Sequence, residues 1–103
     1  MGVDASFISA DQSRALALAA RHVNASTPVA ISESMLLSSL RTGQAPDGFE
    51  HHLFAFIDET HPATLADLVI SKAVTYGQLA VLADRMLPPR HGTRVWLNDR
   101  RAL

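Results

Sequence analysis

The stretch Asp47–Glu59, DGFEHHLFAFIDE, decides the fold of this chain. Phe49, Leu53, Phe56 and Ile57 recur at the 3.6-residue period and form one apolar stripe, which is the pattern of an amphipathic helix. Asp47 followed three residues later by Glu50 has the form of a capping box that would open it. The aromatic rings of this helix bury the largest area per residue, so it is expected to supply the heart of the core.

The neighbouring segments follow the same period. Upstream, Ser32 can cap a helix ESMLLSSLRT in which Met35, Leu36 and Leu40 share a face. Gly43 stands where a left-handed helix stop is wanted. Further back, Ser9 and Gln12 form another capping-box pattern before SRALALAARHV, where Leu16, Ala19, Ala20 and Val23 line up and Asn24 can close the helix. Residues 1–8 read as a loose terminus, and residues 9–103 as one helical domain. The segment 25–31, with Pro28 and β-branched residues, reads as a loop or short extended stretch.

Downstream, Pro62 suits the first turn of a helix ATLADLVISK. Within it, Leu68–Val69–Ile70 is a short apolar run that fits a buried strand as well as a helix. Thr75 and Gln78 form a capping-box pattern for a helix running to about Leu87, lined by Leu79, Leu82, Ala83 and Met86. Pro88–Pro89 stops it. Thr93–Leu97, TRVWL, alternates and is rich in β-formers, so a single C-terminal β-strand is predicted there. The fold class is therefore mainly α: a small bundle of about four to five short helices with one C-terminal strand.

Composition agrees. The chain has 103 residues, room for one domain, with 48% hydrophobic and 18% charged residues. It has no cysteine, which excludes disulfides, thiolate metal sites and cysteine nucleophiles and favours a cytoplasmic setting. The opening MGVDASFISADQ lacks the basic and apolar regions of a signal peptide. No apolar run approaches the roughly 20 residues of a membrane span, so no membrane partner is expected.

The net charge of −1 predicts no polyanionic partner by itself, but the charge is unevenly placed. Asp47, Glu50, Asp58, Glu59 and Asp67 fall in a stretch free of Lys and Arg. Arg85, Arg90, Arg94, Arg100 and Arg101 crowd the C-terminus against Asp99 alone. Such a chain can pair with a second copy, or offer its basic end to an acidic partner or nucleic acid.

No self-contained catalytic constellation is legible. His51 and His52 are adjacent and would point about 100° apart on a helix. His52, Asp58 and His61 are the one set that could be imagined around an ion, yet His-x3-His spacing is absent. The serines sit in no strained nucleophile turn, and no glycine-rich phosphate loop exists. Neither a cofactor, a metal nor an enzymatic activity is therefore expected.

Val74–Met86, VTYGQLAVLADRM, is the most distinctive stretch. Leu68–Ile70, Thr75–Leu79, Ala83–Met86 and Gly92–Val95 follow one another as do the extended segment, T-Y-x-E-L helix, A-x-R-L/M end and G-D-R-V strand at the N-terminal edge of adenylate-forming (AMP-binding, acyl-activating) enzymes. Residues 60–97 resemble that region, with Gln78 and Thr93 in place of the usual acids. The resemblance implies a scaffold piece without activity, because the family's phosphate loop, adenine-site motifs and C-terminal lysine have no counterpart. Val74–Ala80 is also similar to the T-Y-G-x-L-A element of alkyltransferase-type DNA-binding domains. Their P-C-H-R or P-W-H-R motif is missing here, so alkyl transfer is not implied.

Two functions follow as expectations. The first is a non-enzymatic interaction or regulatory module. It would bind a protein partner or a second copy through a C-terminal surface of Arg94, Val95, Trp96, Leu97, Arg100 and Arg101, since Trp and Arg are enriched in binding hot spots. The second is a helix-turn-helix or winged DNA-binding regulator using residues 62–101. In that arrangement Tyr76 and Gln78 begin the recognition helix, and Arg90, Arg94, Arg100 and Arg101 meet phosphates.

Overall fold

The computed structural model describes residues 10–24, 32–45 and 47–102. They form six α-helices in the order α1 (Ala10–Asn24), α2 (Glu33–Thr42), α3 (Glu50–Glu59), α4 (Pro62–Ile70), α5 (Tyr76–Met86) and α6 (Gly92–Arg100). The mainly helical class holds. The number of helices exceeds the expectation by the one that replaces the predicted strand.

That strand is the principal correction. Thr93–Leu97 lies within α6, and no strand occurs among the described residues. The alternation that suggested β-structure also fits a helix, because Thr93 and Leu97 are four apart and both are buried on the inner face. His91 starts the helix by accepting the Thr93 amide N–H at its Nδ1, 3.1 Å away. Leu68–Ile70, the other segment that could have been a strand, is itself the last turn of α4. An unpaired strand would leave a row of backbone groups unsatisfied, whereas a helix satisfies its own.

Local signals explain most other boundaries. Ser32 Oγ accepts the Met35 amide at 3.2 Å, as an N-cap should. Gly43 closes α2 at φ 73°, with its N–H on the Ser39 carbonyl at 2.8 Å. Thr75 and Gln78 form the expected reciprocal capping box, at 3.0 Å and 2.9 Å. The Asp47–Glu50 box does not form. Gly48 turns the chain at φ 87°, and α3 starts only at Glu50 with no side-chain cap. Glu50 reaches back instead to the Gly48 amide. The Ser9 cap, the loose terminus 1–8 and the loop 25–31 lie outside the described residues.

The α4–α5 connection is a Schellman turn built on a lysine. Lys72 takes φ 67°, while the amides of Lys72 and Ala73 return to the carbonyls of Val69 and Leu68.

The core runs through every helix. Leu16, Leu36, Leu40, Leu53, Phe56, Ile57, Leu65, Leu68, Leu79, Leu82 and Leu97 are essentially inaccessible to solvent. Each large side chain sealed this way contributes about 1.5–3 kcal/mol. Of the α3 stripe, Leu53, Phe56 and Ile57 are fully buried and Phe49 packs at the margin. α1 packs against α2, α3 and α4. α5 packs against α2 and α3, and most closely against α6. None of these helices is long and apolar enough to cross a membrane.

Candidate functional site

α5 and α6 form an antiparallel αα-hairpin joined by the turn Leu87–His91. Tyr76 at the start of α5 meets Trp96, and Asp84 near its end meets Arg94 near the start of α6. The two flanks of α6 beside this seam have different chemistry.

One flank is a polar cluster centred on Asp84. Its Oδ1 accepts from Arg94 Nε at 3.0 Å and from Asn98 Nδ2 at 2.8 Å, and its Oδ2 accepts from Arg101 Nη1 at 3.0 Å. Residues 94, 98 and 101 succeed one another by a helical turn, so α6 delivers all three donors to one carboxylate. The Asn98 amide above all, and then the Arg101 and Arg94 guanidinium groups, hold the Asp84 carboxyl below its ordinary range against the opposing effect of desolvation. Arg94 also donates to the Leu87 carbonyl at 2.8 Å, tying the end of α5 to α6.

The other flank is aromatic. The rings of Tyr76 and Trp96 meet edge-on, with centroids 5.8 Å apart. The Arg100 guanidinium lies 4.2 Å over the Trp96 ring and donates to the Trp96 carbonyl at 3.1 Å. Such a cation over an indole face is attracted by the ring's negative quadrupole. All three side chains are half-buried, while Val95 beside them is 47% exposed. Trp96 is thus held in one orientation from two sides with part of its surface open.

The residues expected to form one C-terminal surface therefore separate. Trp96 and Arg100 share one flank, and Val95 is exposed about 100° further around the helix. Arg94 and Arg101 are engaged by Asp84. Leu97 is fully buried and belongs to the core, so it offers nothing to a partner. Of the residues assigned to nucleic acid, Tyr76 joins the aromatic flank, and Gln78 spends its side-chain oxygen on the Thr75 amide. Arg90 is exposed in the α5–α6 turn. Of the elements within residues 62–101, α4 is seated mainly on α1, and α5 mainly on α6, α2 and α3.

The histidine set also disperses. His52 is buried, its ring in tilted contact with those of Phe49 and His51, centroids 4.9 Å and 4.3 Å away. His61 caps α4 through Nδ1, at 3.0 Å from the Ala63 amide. Asp58 faces His91, whose Nε2 is 2.8 Å from Asp58 Oδ1. Because His91 Nδ1 accepts from Thr93, the hydrogen-bond network places its proton on Nε2, toward the carboxylate. Among the described residues no three potential metal ligands converge.

Sequence reasoning missed Asp84 and Asn98. The signal was present in the spacing of Arg94, Asn98 and Arg101, but it is legible only once that segment is read as a helix. Comparison with protein-family models, with curated proteins and with solved structures returns no match.

Proposed function

We propose that this chain is a protein-interaction module whose contact surface is the aromatic flank of α6: Trp96 at its centre, with Tyr76, Arg100 and Val95 around it. The observation that carries this reading is the state of Trp96. Its ring is fixed by Tyr76 and Arg100 and packs partly against the core, with the rest of its surface accessible, while the core beneath is closed by Leu97. A pre-ordered indole loses little conformational freedom on binding, and Trp, Tyr and Arg dominate binding hot spots. The partner is another protein or a second copy of the chain.

This reading is preferred to a nucleic-acid one on electrostatic grounds. Two arginines that would contact phosphates, Arg94 and Arg101, share the Asp84 carboxylate, and the chain as a whole carries a net charge of −1. A nucleic-acid backbone is tracked by a row of cations, and here two of them are tied to a single carboxylate at one point of the surface.

The test is sedimentation or light scattering of the chain at two concentrations, followed by affinity capture from its host. The aromatic flank predicts that Trp96→Ala and Val95→Asp each remove the self-association or the captured partner. Val95→Asp changes an exposed position, so its fold stays intact. A complex that survives both substitutions would refute the surface. Salt-sensitive retardation of duplex DNA, lost on Arg90→Ala, would replace it with the nucleic-acid reading.

A further inference from the structure

Away from the aromatic flank, the fold gathers three arginines that lie far apart in the sequence. The end of α2 and the first two turns of α5 border a cleft of about 450 Å³, with Arg41 and Arg101 among its lining residues. Arg85 reaches the same edge, where it donates to the carbonyl of Gly43, another residue of the lining. The charge here is not balanced. Arg41 is anchored through Nε to the Ala73 carbonyl at 2.8 Å, so Arg41 and Arg85 are each held by a neutral backbone oxygen. Neither has a carboxylate partner among the described residues. Arg101 uses Nη1 on Asp84 and Asn98, and Asp84 is shared with Arg94. Among the described residues no acidic side chain lines the cleft.

The anchoring matters as much as the charge. Each guanidinium is fixed through one nitrogen and keeps other N–H groups without an acceptor among the described residues, so little side-chain entropy remains to be lost on binding. On the α5 side the cleft wall passes Gly77, where an added Cβ would be in ordinary contact with Thr75 Oγ1 at 3.7 Å and the Arg101 carbonyl at 3.8 Å.

We propose that this cleft binds a phosphoryl group, as free phosphate or as a phosphate monoester borne by a small molecule. A planar carboxylate satisfies one guanidinium fork. A tetrahedral phosphate dianion can accept from more than one guanidinium and offsets more of the local positive charge, of which Arg41 and Arg85 carry the part without a carboxylate. The volume is in the ordinary range for small-ligand sites, about 300–1,000 Å³. This site is independent of the Trp96 surface and stands whether or not that surface binds a protein.

The test is a titration of the full chain, followed by amide and guanidinium NMR, with inorganic phosphate, phenyl phosphate and a DNA oligonucleotide lacking terminal phosphates. Sodium chloride at matched ionic strength is the control. Saturable shifts are expected at the Gly77 amide and at the Arg41 and Arg101 side chains with the first two probes. Equal affinities assign free phosphate, and tighter binding of phenyl phosphate assigns the ester. Val81→Glu places a carboxylate in the cleft at a half-exposed helical position four residues before Arg85, where the fold tolerates it. It should weaken binding at least tenfold, as should Arg41→Gln. Shifts that do not saturate, or that persist unchanged in Val81→Glu, would overturn the site. Binding of the oligonucleotide at the same residues as tightly as phenyl phosphate would overturn the small-molecule assignment.

Discussion

Asp84 on α5 and Asn98 on α6 are joined by a 2.8 Å hydrogen bond from the Asn98 side-chain amide to Asp84 Oδ1, and this bond does most to keep the Asp84 carboxyl ionised. Asn98 Nδ2 also donates to the Arg94 carbonyl at 2.9 Å. The one side chain therefore locks both the carboxylate and the helix that presents it.

The Asp84 cluster gives the chain an acid-sensitive element. The carboxyl's value in the folded state lies below that of the unfolded chain, which is about 3.9. Its contribution is therefore complete above the unfolded value and is lost as pH falls through the depressed folded value. Acid unfolding followed by circular dichroism should show a loss of stability below about pH 4 that is smaller in Asp84→Asn. At neutral pH the same variant should be less stable by about 1 kcal/mol, because this is a partly exposed network and not a single surface pair.

Position 97 and position 95 distinguish a helix from a strand. In a strand Val95 and Leu97 would share a face. In α6 Leu97 is fully buried and Val95 is 47% exposed. Leu97→Ala should lower stability by about 2–5 kcal/mol, with Val95→Ala within about 0.5 kcal/mol of the parent, in urea denaturation. Comparable losses at both positions would contradict the helix.

Lys72 holds a left-handed conformation, φ 67°, at the stop of α4 where glycine is preferred. Its side chain is exposed, so little packing is lost on removing it. Lys72→Gly should raise the stability by about 0.5–1 kcal/mol, read as a rise in thermal midpoint. A fall would mean that the lysine side chain supports the turn in a way its exposure does not suggest.

Much of the secondary structure was legible in particular residues. Ser32, Gly43, Pro62 and the Thr75–Gln78 pair each act within one turn of themselves, so their chemistry is visible in a linear reading. Two readings failed for one reason: a local pattern admitted two geometries. TRVWL alternates, but the same residues also recur at four. Asp47 and Glu50 are spaced for a box, but Gly48 between them takes a conformation the box cannot use. The candidate site was legible only in part. Trp96, Arg100 and Val95 were visible as residue types suited to binding, whereas the loss of Leu97 to the core and of Arg94 and Arg101 to Asp84 was not.

The amino-acid order by itself determined a helical, cysteine-free chain, the caps that start and stop most of its helices, and the apolar stripe of α3. Those properties depend on interactions within a few residues. The tertiary structure alone decided which arginines are neutralised and which remain in excess. Arg94 and Arg101 come to rest on Asp84 because α6 folds back along α5, and Arg85 reaches the Gly43 carbonyl beside Arg41's end of α2 because α2 ends beside α5. Coulomb interaction depends on separation in space, and no spacing along the chain encodes that distance.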